Sequence, residues 1–122
     1  MINLLAVFLG GGIGAACRYL ITVFSTRFFG LAHWGTFSAN IIGCFVIGYV
    51  FGMTIHKIDN FPPTLKLFLT VGFLGGLTTF STFSCESFCF LKEGKIIHCL
   101  LYMMISFVIG LAATFAGYML SK

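Results

Sequence analysis

Gly72-Phe73-Leu74-Gly75-Gly76-Leu77-Thr78-Thr79-Phe80-Ser81-Thr82-Phe83 interrupts a stretch that is otherwise long and apolar enough to cross a bilayer. Three glycines followed by four hydroxyl residues weaken a helix there and free backbone amides and carbonyls. Hydrocarbon cannot satisfy such groups, so irregular backbone at that depth is tolerated only where it is packed in protein or lines a wet path. Discontinuous helices near the midplane are pointers to ion or substrate sites. The segment therefore predicts a broken third membrane helix, with the function at the break.

The surrounding chain supports a membrane reading. Of its 122 residues 59% are hydrophobic and 8% charged, with a mean hydropathy of +1.07. A soluble domain carries about 25% charged residues. At roughly 20 residues per span, four spans with short connectors use the whole length. The expected fold class is all-α integral membrane, as one four-helix transmembrane domain over residues 1–122. The uncharged run from Met1 to Cys17 lacks the basic region that opens a signal peptide, so it is read as a retained first span.

The spans are expected at about Ile2–Phe24, Gly35–Ile55, Leu65–Leu91 and Ile96–Leu120. Between the first two lies a polar connector with Ser25, Thr26, Arg27, Gly30 and His33, and Trp34 suits an interfacial anchor. His56 to Thr64, with Pro62-Pro63, reads as a loop, and Lys92-Glu93-Gly94-Lys95 as a turn. Gly10, Gly11, Gly12 and Gly14 in the first span, and Gly48 and Gly52 in the second, are the small residues that let membrane helices approach closely. The five cysteines form no CxxC pair; Cys85 and Cys89 share a helix face but lack a second ligand pair.

The net charge of +4 comes from Arg18, Arg27, Lys57, Lys66, Lys92, Lys95 and Lys122. They are scattered, which excludes a nucleic-acid surface and a polybasic lipid-binding patch. With four spans, Lys57, Lys66 and Lys122 fall on one side and Arg27, Lys92 and Lys95 on the other. Orientation normally follows an excess of Lys and Arg in cytoplasmic loops, and here almost none exists. That balance permits insertion both ways and an antiparallel two-fold dimer that brings the third-span breaks together.

Phe80 and Phe83 share a helix face within the break, with hydroxyls from Thr79, Ser81 and Thr82 around them. A ring has a negative face and a positive edge, so ring edges accommodate an anion without trapping it. Asn40 can donate its amide to an anion or glue two helices together. Tyr102 and Ser106 begin a thin polar line on the fourth span that Gly110 and Thr114 continue. Arg18 falls about 24 Å along the first helix, near the opposite interface, where it snorkels or attracts anions to a vestibule. Glu86 lies about 9 Å beyond Phe80 and pairs with a cation or sits at a mouth. Enzyme readings fail: there is no His-Glu-x-x-His, phosphate loop or Ser-His-Asp arrangement in polar context.

At these residues the chain resembles the Fluc (CrcB) family of small fluoride channels. The motifs that carry the resemblance are Gly11-Gly12-Ile13-Gly14-Ala15-Ala16-Cys17-Arg18-Tyr19, Gly35-Thr36-Phe37-Ser38-Ala39-Asn40-Ile41-Ile42-Gly43, and Gly72 to Phe83, in the family's order. The resemblance implies a passive fluoride channel in the cell (inner or plasma) membrane. It implies an antiparallel, dual-topology homodimer with two pores and a structural Na+ at the dimer axis. Backbone carbonyls at Gly75 and Thr78 match the sodium ligands. Asn40, Phe80 and Phe83 match the fluoride pathway, joined by Tyr102 and Ser106; Arg18 matches the first-helix arginine and Glu86 a pore-mouth carboxylate. Two alternatives stand beside this reading: a small multidrug-type proton-coupled exporter, which would want a membrane-embedded carboxylate, and a non-transporting membrane assembly subunit.

Overall fold

The computed structural model describes residues 1–56 and 61–122; the expected loop residues Lys57, Asp59 and Asn60 lie outside them. Two long helices, α1 (Ile2–Phe29) and α2 (Ala32–His56), lead into a composite third span and a final helix. The third span runs from Pro63 to Lys92. It consists of α3 (Pro63–Leu67), a π-helical segment (Phe68–Leu74), the single turn α4 (Gly75–Leu77) and, after a break, α5 (Phe80–Lys92). The last helix is α6 (Ile96–Leu120). All described secondary structure is helical, and four spans are long and apolar enough to cross a membrane.

The first connector is shorter than its composition suggests. Ser25, Thr26 and Arg27 belong to α1, because the Thr26 hydroxyl donates to the Thr22 carbonyl at 2.9 Å and is satisfied inside the helix. Gly30 then ends the helix in the left-handed region (φ 72°), a conformation that suits glycine, and its amide donates to the Thr26 carbonyl. His33 and Trp34 consequently sit in the first turn of α2.

Glycines set the helix spacing. A Cβ at Gly14 would overlap the Phe73 carbonyl and stand 2.9 Å from the Leu77 amide. One at Gly76 would stand 2.9 Å from the Ala15 amide. Main chain therefore meets main chain between α1 and the third span, the close approach on which membrane helix packing relies. Gly48 and Gly117 do the same between α2 and α6. Ala39, Leu74 and Leu77 are buried where these pairs converge, with Cys17, Ile21 and Phe73 packed around them. Many large apolar side chains, Phe8, Leu20, Phe107 and Phe115 among them, face outward as a lipid-embedded surface requires.

The break falls two residues beyond the last glycine of the motif. Gly75 is helical (φ −62°, ψ −36°), whereas Thr78 (ψ 153°) and Thr79 (φ −147°, ψ 119°) are extended. Gly72 and Gly76 serve the contact with α1, and hydroxyl side chains end the helix instead.

Candidate functional site

Two of the amides released at the break take new partners. In a continuous helix the Thr79 amide would return to the Gly75 carbonyl and the Thr82 amide to the Thr78 carbonyl. Thr79 N instead donates to Asn40 Oδ1 at 2.7 Å, and Thr82 N to Thr79 Oγ1 at 3.2 Å, as at a helix N-cap. Asn40 Nδ2 also donates to the Thr79 carbonyl at 3.2 Å, so one amide side chain on α2 clamps both polar groups of Thr79. On the other side, the amide and hydroxyl of Thr78 both donate to the Leu74 carbonyl, at 3.0 and 2.9 Å, and close off α4.

The Gly75 and Thr78 carbonyls are thus deprived of the amides that a helix would give them. Gly75 is exposed in the protomer. Thr78 O accepts from Arg18 Nη1 at 3.4 Å, so that oxygen already faces a cation and keeps a second lone pair. Unwound carbonyls of this kind coordinate Na+ in membrane transporters, so the residues fit the ion. Among the described residues no group of three His, Cys, Asp or Glu side chains offers a metal site of another type. Cys85 and Cys89 are exposed, without a third ligand.

Arg18 departs from the interfacial position expected from its sequence. Because α1 continues to Phe29, about 16 Å of helix lie beyond Arg18. Its guanidinium points to the break rather than to an interface.

A groove of about 790 Å³ opens along the break, lined by Asn40, Thr78, Thr79, Phe80, Phe83 and Ser106 with apolar side chains between them. Among the described residues none with a charged side chain lines it. Phe80 is 80% exposed, while Phe83 is partly covered, with its ring centroid 5.0 Å from that of Tyr102. The Ser106 hydroxyl is shut from solvent and has no partner among the described residues. Ser81 is exposed beside the break, its Oγ 3.4 Å from Thr79 Oγ1.

Tyr102 and Ser106 divide the fourth-span line between two environments. Ser106 lines the groove, whereas the Tyr102 hydroxyl donates to Glu86 Oε2 at 2.7 Å. Thr36 Oγ1 donates to the other carboxylate oxygen, also at 2.7 Å. Glu86 is therefore held by two hydroxyls and not by the cation that its sequence context invited. Thr36 was not singled out in the sequence, although it lies four residues before Asn40 and so shares its helix face. His33 packs edge-on against Phe90 and Tyr102 at the end of this cluster.

A family model described as "CrcB-like protein, Camphor Resistance (CrcB)" matches residues 5–118. A protein of Citrifermentans bemidjiense named "Fluoride-specific ion channel FluC" is 38% identical over 100% of this chain and 98% of its own length. Proteins with the same name from Aquifex aeolicus and Phocaeicola vulgatus are 42% and 43% identical. The first match covers 96% of this chain and 94% of the relative, the second 100% of both.

Proposed function

We infer the function from one premise: the chain belongs to the CrcB-like family. It is a multi-pass membrane protein that conducts fluoride passively across the cell membrane and is not an enzyme. The observation that carries this reading is the uncharged groove at the helix break, where Asn40, Ser106 and the rings of Phe80 and Phe83 meet. Fluoride is small and strongly hydrated, so a path for it must replace water with donors while holding the ion weakly enough to release it. Asn40 keeps one N–H beyond the one given to Thr79, and the Ser106 hydroxyl has no partner among the described residues. Ring edges add a positive potential without a fixed charge.

The conducting form we propose is an antiparallel, dual-topology homodimer with two pores. The outward Phe80 ring and the open groove support it, since each leaves a functional surface for a second copy to cover. The balanced cations at the two ends support insertion in both orientations. In that dimer the Gly75 and Thr78 carbonyls from both copies would hold a structural Na+, whose charge offsets the cost of an anion in a narrow low-dielectric path. Arg18 donates to the Thr78 carbonyl, and Glu86 is held by Tyr102 beyond Phe83. Purified protein in vesicles, read with a fluoride-selective electrode, tests the function. Passive fluoride efflux is expected; proton-dependent cation exchange would indicate an exporter, and no flux would indicate an assembly subunit.

A further inference from the structure

We propose that Asn40 and the Thr79 hydroxyl are positioning residues for the cation site, keeping the Gly75 and Thr78 carbonyls open by taking the amides that would otherwise close them. This rests on the sodium reading above. The two substitutions of partner are independent. Asn40 Oδ1 occupies the Thr79 amide, the natural donor to Gly75 O, and Thr79 Oγ1 occupies the Thr82 amide, the natural donor to Thr78 O. Both diverted amides remain satisfied, so at Thr79 and Thr82 the loss of helical pairing falls on the acceptors, Gly75 O and Thr78 O. Acceptor lone pairs without N–H partners in a low-dielectric site call for a cation, as Arg18 at Thr78 O already illustrates. Asn40 lies on α2, against a break otherwise formed within the third span, so it ties the openness of the carbonyls to the packing of α2.

Without Asn40 Oδ1 the Thr79 amide is free to return to Gly75 O. Without Thr79 Oγ1 the Thr82 amide is free to return to Thr78 O. Either change extends helical pairing into the break and withdraws a ligand oxygen. An anion-contact role alone for Asn40 would leave sodium binding untouched, and that difference separates the two.

The test is thermal unfolding of the purified full-length protein, titrated with Na+ against N-methylglucamine at constant ionic strength, together with fluoride flux at saturating Na+. Wild-type protein is expected to gain stability with Na+. Asn40→Ala and Thr79→Ala should each need about tenfold more Na+ for half the gain, whereas Thr79→Ser, which keeps the hydroxyl, should stay near wild type. If Asn40→Ala does not fold, the Thr79→Ala and Thr79→Ser pair carries the test alone. Reduced flux with an unchanged Na+ requirement in both alanine variants overturns the positioning role and leaves the sodium reading standing. A wild-type protein indifferent to Na+ removes the sodium reading, and this inference with it.

Discussion

Phe80 and Phe83 stand one turn apart on α5 with ring centroids 6.1 Å from each other, yet only Phe83 is covered by its own protomer. Phe83 rests on Tyr102, while Phe80 projects from the wall of the groove. An aromatic ring so exposed contributes little to protomer folding, and its replacement reports on conduction rather than stability. Phe80→Ile should lower fluoride flux by about tenfold, the worth of an aromatic-edge contact, with assembly unchanged on size exclusion. Wild-type flux would return this ring to a packing role.

Gly14 is one of the positions where α1 and the third span touch through main chain alone. Gly14→Val should destabilise by about 1–3 kcal/mol or prevent folding, because the Phe73 carbonyl and Leu77 amide have no rotamer to yield. Gly12, which meets nothing within 4 Å in the protomer, is the matched control. Gly12→Ala should leave protomer stability within about 0.5 kcal/mol, measured by thermal unfolding. Equal losses at both sites would show that glycine content, and not this contact, matters.

Glu86 depends on two hydroxyls from two different helices. Tyr102→Phe and Thr36→Val should each cost about 1–3 kcal/mol by leaving a carboxylate oxygen short of a donor. The double variant should be non-additive, because both act on one carboxylate. Glu86→Gln in the Tyr102→Phe background should recover part of the loss, since a neutral amide needs less compensation. Strict additivity and no recovery would mean that Glu86 is solvated from elsewhere.

Sodium removal probes the carbonyl pair directly. Fluoride flux is expected to collapse in sodium-free vesicles and to return on adding Na+, since among the described residues Arg18 donates to Thr78 O alone and leaves the Gly75 carbonyl to the ion. Unchanged flux without sodium would count against a structural ion.

Orientation gives the last expectation. A cysteine-accessibility tag at Lys122 should label from both sides of the membrane, because Lys57, Lys66 and Lys122 on one side are matched by Arg27, Lys92 and Lys95 on the other. Labelling from one side alone would exclude the antiparallel dimer.

Much of the fold was legible because membrane spans follow from length and hydropathy. The third-span interruption was legible too, but its position was not. Glycines weaken helices in isolation, so the motif suggested a break within Gly72–Phe83; Gly76 is helical and packs against the Gly11 main chain of α1, and the extended residues are Thr78 and Thr79 instead. Ser25 to Arg27 looked like a connector because polar residues usually leave the membrane, yet hydroxyl-to-carbonyl bonding kept Thr26 helical. Thr36 carried a usable signal, its spacing from Asn40, but a buried hydroxyl in an apolar helix does not announce its partner.

Composition and patterning alone determined that this chain lives in a bilayer, crosses it four times and concentrates its polar chemistry around residues 72–83. Those features follow from solvent transfer, which depends on each residue in its own segment. Which amide bonds which oxygen was decided by tertiary structure, since Asn40 lies 39 residues before Thr79 and meets it only when α2 packs on the third span. The same holds for Arg18 at Thr78, 60 residues apart, and for Thr36 at Glu86, 50 apart. Partner choice across such separations is set by helix packing, and that packing turns a weak point in a helix into a pair of open carbonyls.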